Sequence, residues 1–213
     1  MSVDNLNRIF NSATEFDLQV GLNAYAKYND IMIKLAEDFG ISSLTTSAIF
    51  SALSPNSDYH GNLRDTHALL VAWRNGLDIS SFTVHTYGNN KRKAWRIAHG
   101  EDPYVLIVAN KTNNFFRNVY DPTDPAPVTI DGHMINIWNG TRLPLVGLRY
   151  STKIYDIIAN GVRELAQQRN LIPCQVQCTL WHVWRKLHRI KSTDQLEFWD
   201  VELINARLGF HPS

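Results

Sequence analysis

The feature that most constrains this chain is its scarcity of strand signal. Apolar residues recur at three- and four-residue spacing along most of its length, and no two alternating runs are joined by a hairpin turn. The exception is one β-branched triplet, Val128-Thr129-Ile130. Phe16, Leu18, Leu22, Tyr25, Ile31 and Leu35 pattern residues 15–38 as a helix ended by Gly40. Thr45 or Thr46 caps a second, which carries Ile49, Phe50 and Leu53 and stops at Ser54-Pro55. A polar turn over 56–62 feeds a third helix with Leu63, Leu69, Leu70 and Trp73 on one side, stopped near Gly76. Ile79, Phe82 and Val84 precede a turn at 87–90, a short basic helix runs from Lys91 to Ile97, and Asp102-Pro103 opens another. Lys111 begins a segment with Phe115, Phe116 and Val119, and a proline-broken loop covers 121–127. Asp131 stands directly before Met134, Ile135, Ile137 and Trp138 and reads as a helix N-cap. Three more helices are expected: through Ile154, Ile158 and Leu165; from Pro173 through Leu180, Trp181 and Trp184; and from 194 through Ile204. The whole is an all-α chain of roughly eight to ten helices at the usual ~11 residues each.

At 213 residues the chain fits one large domain or a tight two-lobed one. Its 44% hydrophobic and 19% charged residues exclude a disordered chain. A net charge of +1 leaves nucleic-acid binding to local patches. Lys91, Arg92, Lys93 and Arg96 form one such run; Arg185, Lys186, His188, Arg189 and Lys191 form a second. No apolar run reaches membrane-spanning length and the N-terminus lacks a secretory layout, so a cytoplasmic protein is expected, in the host cytoplasm if the source is viral. Cys174 and Cys178, four apart on a helical pattern, suit neither a disulfide framework nor a metal or iron–sulfur site. No metal or other cofactor is expected, and Trp181 and Trp184 read as core.

Three blocks, in order over residues 45–140, carry a resemblance to a known family. The first is Ala48-Ile49-Phe50-Ser51-Ala52-Leu53-Ser54-Pro55 and the helix that ends at Trp73. The second, Tyr87-Gly88-Asn89-Asn90-Lys91-Arg92-Lys93-Ala94 with Ile97, is similar to a "Y-N-x-K-A-x-x-I" segment. The third, Lys111-Thr112 followed by Val128-Thr129-Ile130-Asp131-Gly132-His133, is similar to a "G-x-G-x-K-T-A … V-D-T-H" signature. Together they resemble the helix-hairpin-helix DNA glycosylase superfamily, the group of endonuclease III, MutY and oxoguanine glycosylase. The hairpin is degenerate: Val105-Leu106-Ile107-Val108-Ala109-Asn110 stands where the family reads L-P-G-V-G, so the glycines that let backbone N–H groups approach a phosphate are missing. Leu53-Ser54-Pro55, Gly100-Glu101-Asp102-Pro103 and the helix from Gln177 to Arg185 also resemble a divergent phage-type branch, some of whose members are proposed to process hypermodified thymines.

The resemblance implies a two-lobed helical fold, with a lobe over 40–140 that holds the hairpin and the catalytic aspartate, and a second lobe from 1–39 plus 141–213. It puts Lys111 in the position of the nucleophilic lysine and Asp131 in that of the essential aspartate. A fixed anion stabilises the oxocarbenium character of the breaking sugar–base bond, and a desolvated lysine attacks C1′ and gives lyase activity. DNA contacts are expected from Asn56, Asn62, Asn89, Asn90, Lys91, Lys93, Asn110 and His133. The implied partner is DNA, as a duplex with a flipped base or as single strand, met by a monomer. The alternatives are a thymine-tailoring enzyme on the same fold and a DNA-binding or host-interaction protein without catalysis.

Overall fold

The computed structural model describes residues 3–145, 148 and 150–190, and the helix expected from 194 lies outside them. The described chain is all helical, without strands: α1 Val3–Phe10, α2 Glu15–Phe39, α3 Ser43–Leu53, α4 Tyr59–Arg74, α5 Gly88–Ala98, α6 Pro103–Leu106, α7 Asn110–Tyr120, α8 Gly132–Asn139, α9 Thr152–Arg169 and α10 Pro173–Leu187. Among the described residues no helix is long and apolar enough to cross a membrane. The N-terminal stretch yields a helix that periodicity alone did not mark, α1, which buries Leu6, Ile9 and Phe10. At α3 the cap is Ser42, whose hydroxyl accepts from the Thr45 N–H at 3.1 Å, rather than either threonine. Thr46 turns inward instead and donates to the Met32 carbonyl at 2.7 Å.

The described chain divides into two compact units, one continuous (Lys27–Tyr120) and one built from the residues up to Ala26 with those from Asp121 to Ile190. The expected lobe boundaries at 39/40 and 140/141 are therefore corrected, and Asp131 falls with the N-terminal residues rather than with Lys111. The cause is burial. Val128 and Ile130 belong to the same apolar core as Leu6, Ile137, Ile158 and Leu180, so the chain changes unit ahead of the proline loop rather than after α8.

The continuous unit is organised around α3, which packs against α4, α5 and α7. Every residue from Thr46 to Leu53 is buried, the mark of a helix enclosed on all sides. Burying Ile49, Phe50 and Leu53 contributes about 1.5–3 kcal/mol each. Phe50 meets the rings of Tyr28, Tyr59 and Phe115 at centroid distances of 5.7, 6.3 and 5.9 Å.

The other unit packs α1, α8, α9 and α10 together. Two glycines permit close helix approaches within it. A Cβ on Gly21 of α2 would stand 1.8 Å from Thr179 Oγ1, and one on Gly161 of α9 would stand 2.5 Å from the Trp138 ring. The β-branched triplet has no strand partner. Its buried backbone is satisfied by tyrosines: the Tyr155 hydroxyl donates to the Val128 carbonyl at 2.7 Å and accepts from the Ile130 N–H at 3.2 Å. The Tyr150 hydroxyl donates to the Ile130 carbonyl at 3.2 Å. This clamp fixes the residue that follows, Asp131.

Candidate functional site

Asp131 is the N-cap of α8, in extended backbone as a cap requires. Its carboxylate is held twice. Oδ1 accepts from the Met134 N–H at 2.9 Å, and Oδ2 accepts from the Trp181 indole N–H at 3.0 Å. The Arg185 guanidinium lies over the Trp181 ring at 4.2 Å, and the His133 ring meets it edge-on at 6.1 Å. Burial, and then the charge of Asp131, push the Tyr150 phenol above its ordinary range. Asp131 and His133, both anticipated as site residues, are thus gathered with Trp181, Arg185 and Tyr150. Trp181 is half-buried, and its indole N–H is spent on the carboxylate rather than on core packing alone. The signal for it lay in the spacing: Trp181 and Arg185 are four apart and share one face of α10. One turn beyond His133, Asn136 lines a cavity of about 420 Å³ together with His133 and Arg142.

Lys111 belongs to the continuous unit, in the first turn of α7, and is exposed. The turn that precedes it, 107–109, joins α6 to α7. Ile107 is buried and its carbonyl accepts from the Asn113 side chain at 2.8 Å, whereas Val108 and Ala109 are exposed where the family keeps glycine. The Asn113 side chain closes this turn, and Asn110 is exposed.

The remaining expected contacts of this unit separate into two groups. Asn56 and Asn89 are exposed, Asn56 with a left-handed φ of 62°, and Lys93 is half-buried. Asn62, expected as a DNA contact, is 3% exposed and donates to the Phe50 carbonyl at 3.0 Å; α4 begins at Tyr59, capped by Asp58, so the polar turn is shorter than expected and Asn62 lies inside the helix. Lys91, also expected at DNA, places its ammonium on the Phe82 carbonyl and 4.1 Å from the Phe82 ring centroid. Asn90 donates to Thr86 Oγ1 at 2.9 Å. With the buried Asp65 carboxylate, which takes the His85 backbone N–H at 2.6 Å and its Nδ1 at 2.9 Å, Asn90 and Lys91 tether the segment 82–87. Asn62 and Lys91 are therefore structural rather than DNA-facing.

A second charged cluster lies at the start of α2. Asp17 accepts from the Thr14 N–H and hydroxyl at 2.9 and 2.8 Å, from His182 Nε2 at 3.0 Å and from Lys186 Nζ at 2.8 Å. Burial raises its pKa, but the Lys186 hydrogen bond and charge and the two Thr14 bonds outweigh it and hold the group at about 2. This cluster staples α2 to α10. Among the described residues no three His, Cys, Asp or Glu side chains gather as a metal site requires. Cys174 and Cys178 are free thiols, each pushed up to about 12 by burial.

No curated protein and no solved structure matches this chain. A model for a family of unknown function, DUF7178, matches residues 1–188, and the chain belongs to that family.

Proposed function

We propose that this chain is a DNA N-glycosylase whose reacting-centre carboxylate is Asp131, with water as the attacking group and Lys111 as a backbone phosphate contact. The observation that carries the reading is the double anchoring of Asp131 by the Met134 N–H and the Trp181 indole. A carboxylate fixed in advance stabilises a developing cation without reorganising during the reaction. Each of its oxygens has one bond accepted and a lone pair left for a water molecule. The three sequence blocks, in family order around Lys111 and Asp131, support the same chemistry. The exposure of Lys111 favours the phosphate role, because a lysine nucleophile needs removal from water.

In the reaction the extruded nucleotide loses its base as the C1′–N bond breaks. The bonding pair leaves with the base, which takes a proton from solvent, to which Asp131 returns one after the water has added. The sugar cation is met by the Asp131 charge, and water adds its oxygen to C1′ and gives a proton to Asp131. The strand stays intact.

The test is incubation with DNA containing modified bases, with free base measured by mass spectrometry and strands sized on denaturing gels. Released base with uncut strands and no borohydride-trapped adduct supports the reading. A trapped adduct lost in Lys111→Ala would replace it with the lyase mechanism. The exposed Val108 and Ala109 of the hairpin favour a second reading, DNA binding without chemistry. That reading requires salt-sensitive binding, no base release, and no effect of Asp131→Asn on affinity.

A further inference from the structure

We propose that the cavity beside α8 is a site for a nucleotide, with its base on the apolar wall and its phosphate on Arg142. The proposal rests on the glycosylase reading for the choice of a nucleotide. It rests on the cavity alone for the two requirements a ligand must meet, a flat apolar body and a negative charge. At about 420 Å³ the cavity lies within the roughly 300–1,000 Å³ of small-molecule sites, which are lined mostly by apolar groups with a few polar ones that fix orientation.

The apolar requirement comes from Leu143, Pro144, Leu145 and Ile190, which line the cavity. Leu143 and Leu145 are 39% and 44% exposed, and Pro144 between them is exposed as well. Three consecutive apolar residues thus stand open to water, and a ring laid on them would remove that surface from it. The strip is anchored to α8. A Cβ on Gly132 would stand 2.8 Å from Leu145 Cδ2, so Leu145 lies against the first residue of the helix that Asp131 caps. That contact puts the wall at the helix end where the proposed reacting carboxylate is held.

The charge requirement comes from Arg142, which lines the same cavity and is exposed. It donates from Nη1 to the His188 carbonyl at 3.2 Å, a neutral acceptor, and no carboxylate among the described residues pairs with it. Asp131, the carboxylate closest to it in sequence, is turned to the Met134 N–H and the Trp181 indole. Arg189, next to the wall residue Ile190, is likewise exposed with no carboxylate partner among the described residues. The planar guanidinium of Arg142 keeps N–H groups that match two oxygens of one phosphate, and such a charge-assisted pair is stronger than any between neutral groups. A neutral nucleoside offers it no anion, and a cationic ligand is repelled.

The experiment is an NMR titration of the full chain with thymidine 5′-monophosphate, thymidine, inorganic phosphate and a short thymidine oligonucleotide. The monophosphate should bind at least about tenfold more tightly than thymidine or inorganic phosphate, because each of those meets one requirement alone. Arg142→Gln should bring the monophosphate down to the affinity of thymidine and leave thymidine itself within about twofold. Leu145→Ser should weaken both by about threefold or more. Both changes are at exposed positions, and an unchanged melting temperature shows that the variants fold. Equal affinity for the monophosphate and thymidine, inorganic phosphate bound as tightly as the monophosphate, no measurable binding, or monophosphate binding untouched by Arg142→Gln would each overturn the proposal. The oligonucleotide distinguishes the source, and either result supports the site. Binding with the same dependence on Arg142 makes the ligand a nucleotide within a strand; no binding, where the monophosphate binds, makes it a free nucleotide. The outcomes also separate the site from the glycosylase reading. Nucleotide binding without base release from DNA leaves the site standing alone. Asp131-dependent base release without a preference for the phosphate removes the site and leaves the enzyme.

Discussion

Two helix beginnings invite comparison, that of α8 with Asp131 and that of α7 with Lys111. The first is prepared on every side. Two tyrosine hydroxyls clamp the backbone before it, an indole and a backbone amide hold the carboxylate, and a cavity opens one turn further along the helix. The second is open to solvent: Val108, Ala109, Asn110 and Lys111 are all exposed, and the Asn113 side chain closes the turn on the Ile107 carbonyl. Chemistry requires a group held still in a partly dry setting, whereas meeting a phosphate requires only a reachable charge. Under the proposed reading, the contrast is why the reaction is given to Asp131 and the backbone contact to Lys111.

The largest expected effect tests whether the Asp131 side depends on tight packing. Gly21→Ala places a methyl group against Thr179 backbone and side chain, neither able to yield freely. It should destabilise the protein by about 3 kcal/mol, at the upper end of overpacking costs, read from the urea midpoint. Acid is next. His182, with its pKa lowered mainly by burial, stays neutral in the fold, and Asp17 at about 2 stays ionised. Both folded values lie below the unfolded ones, so both contributions are present at neutral pH and lost as pH falls. The His182 part fades as pH drops below its ordinary 6.5, and the Asp17 part fades between its ordinary 3.8 and about 2. Chemical denaturation from pH 7 to pH 2 should show these two declines, the second on the order of 2 kcal/mol, and Asp17→Asn should erase the second.

Trp181→Phe keeps a ring beside His133 but removes the donor to Asp131 Oδ2. It should cost about 1 kcal/mol of stability and lower base release roughly three- to tenfold. The smallest effect belongs to the other helix: Lys111→Gln should leave the melting temperature unchanged. It should also reduce the slope of log affinity against log salt by about 0.7–0.9, as loss of one phosphate contact requires.

Local signals were legible in the sequence and distant ones were not. Capping is written in neighbouring residues, so Asp131, Asp102-Pro103 and the start of α10 at Pro173 could be read directly. The triplet 128–130 was legible as a β-branched run set apart from the helices, but its hydrogen-bond partners, Tyr150 and Tyr155, come from another part of the chain and carry no local mark. The division between units was missed for the same reason, because it depends on which core Val128 and Ile130 enter. Asn62 and Lys91 show the reverse hazard. Polar residues in a motif that resembles a DNA-facing one are here spent on the Phe50 and Phe82 carbonyls.

The most direct measurement is single-turnover base release by Asp131→Asn beside Lys111→Gln, on the same modified DNA. Asparagine still caps α8, so folding should be retained within about 1 kcal/mol, and release should fall roughly 100- to 1,000-fold. Lys111→Gln, at saturating enzyme, should stay within about threefold of the unaltered protein. Equal rates for Asp131→Asn and the unaltered protein, or a larger loss from Lys111→Gln, would contradict the account.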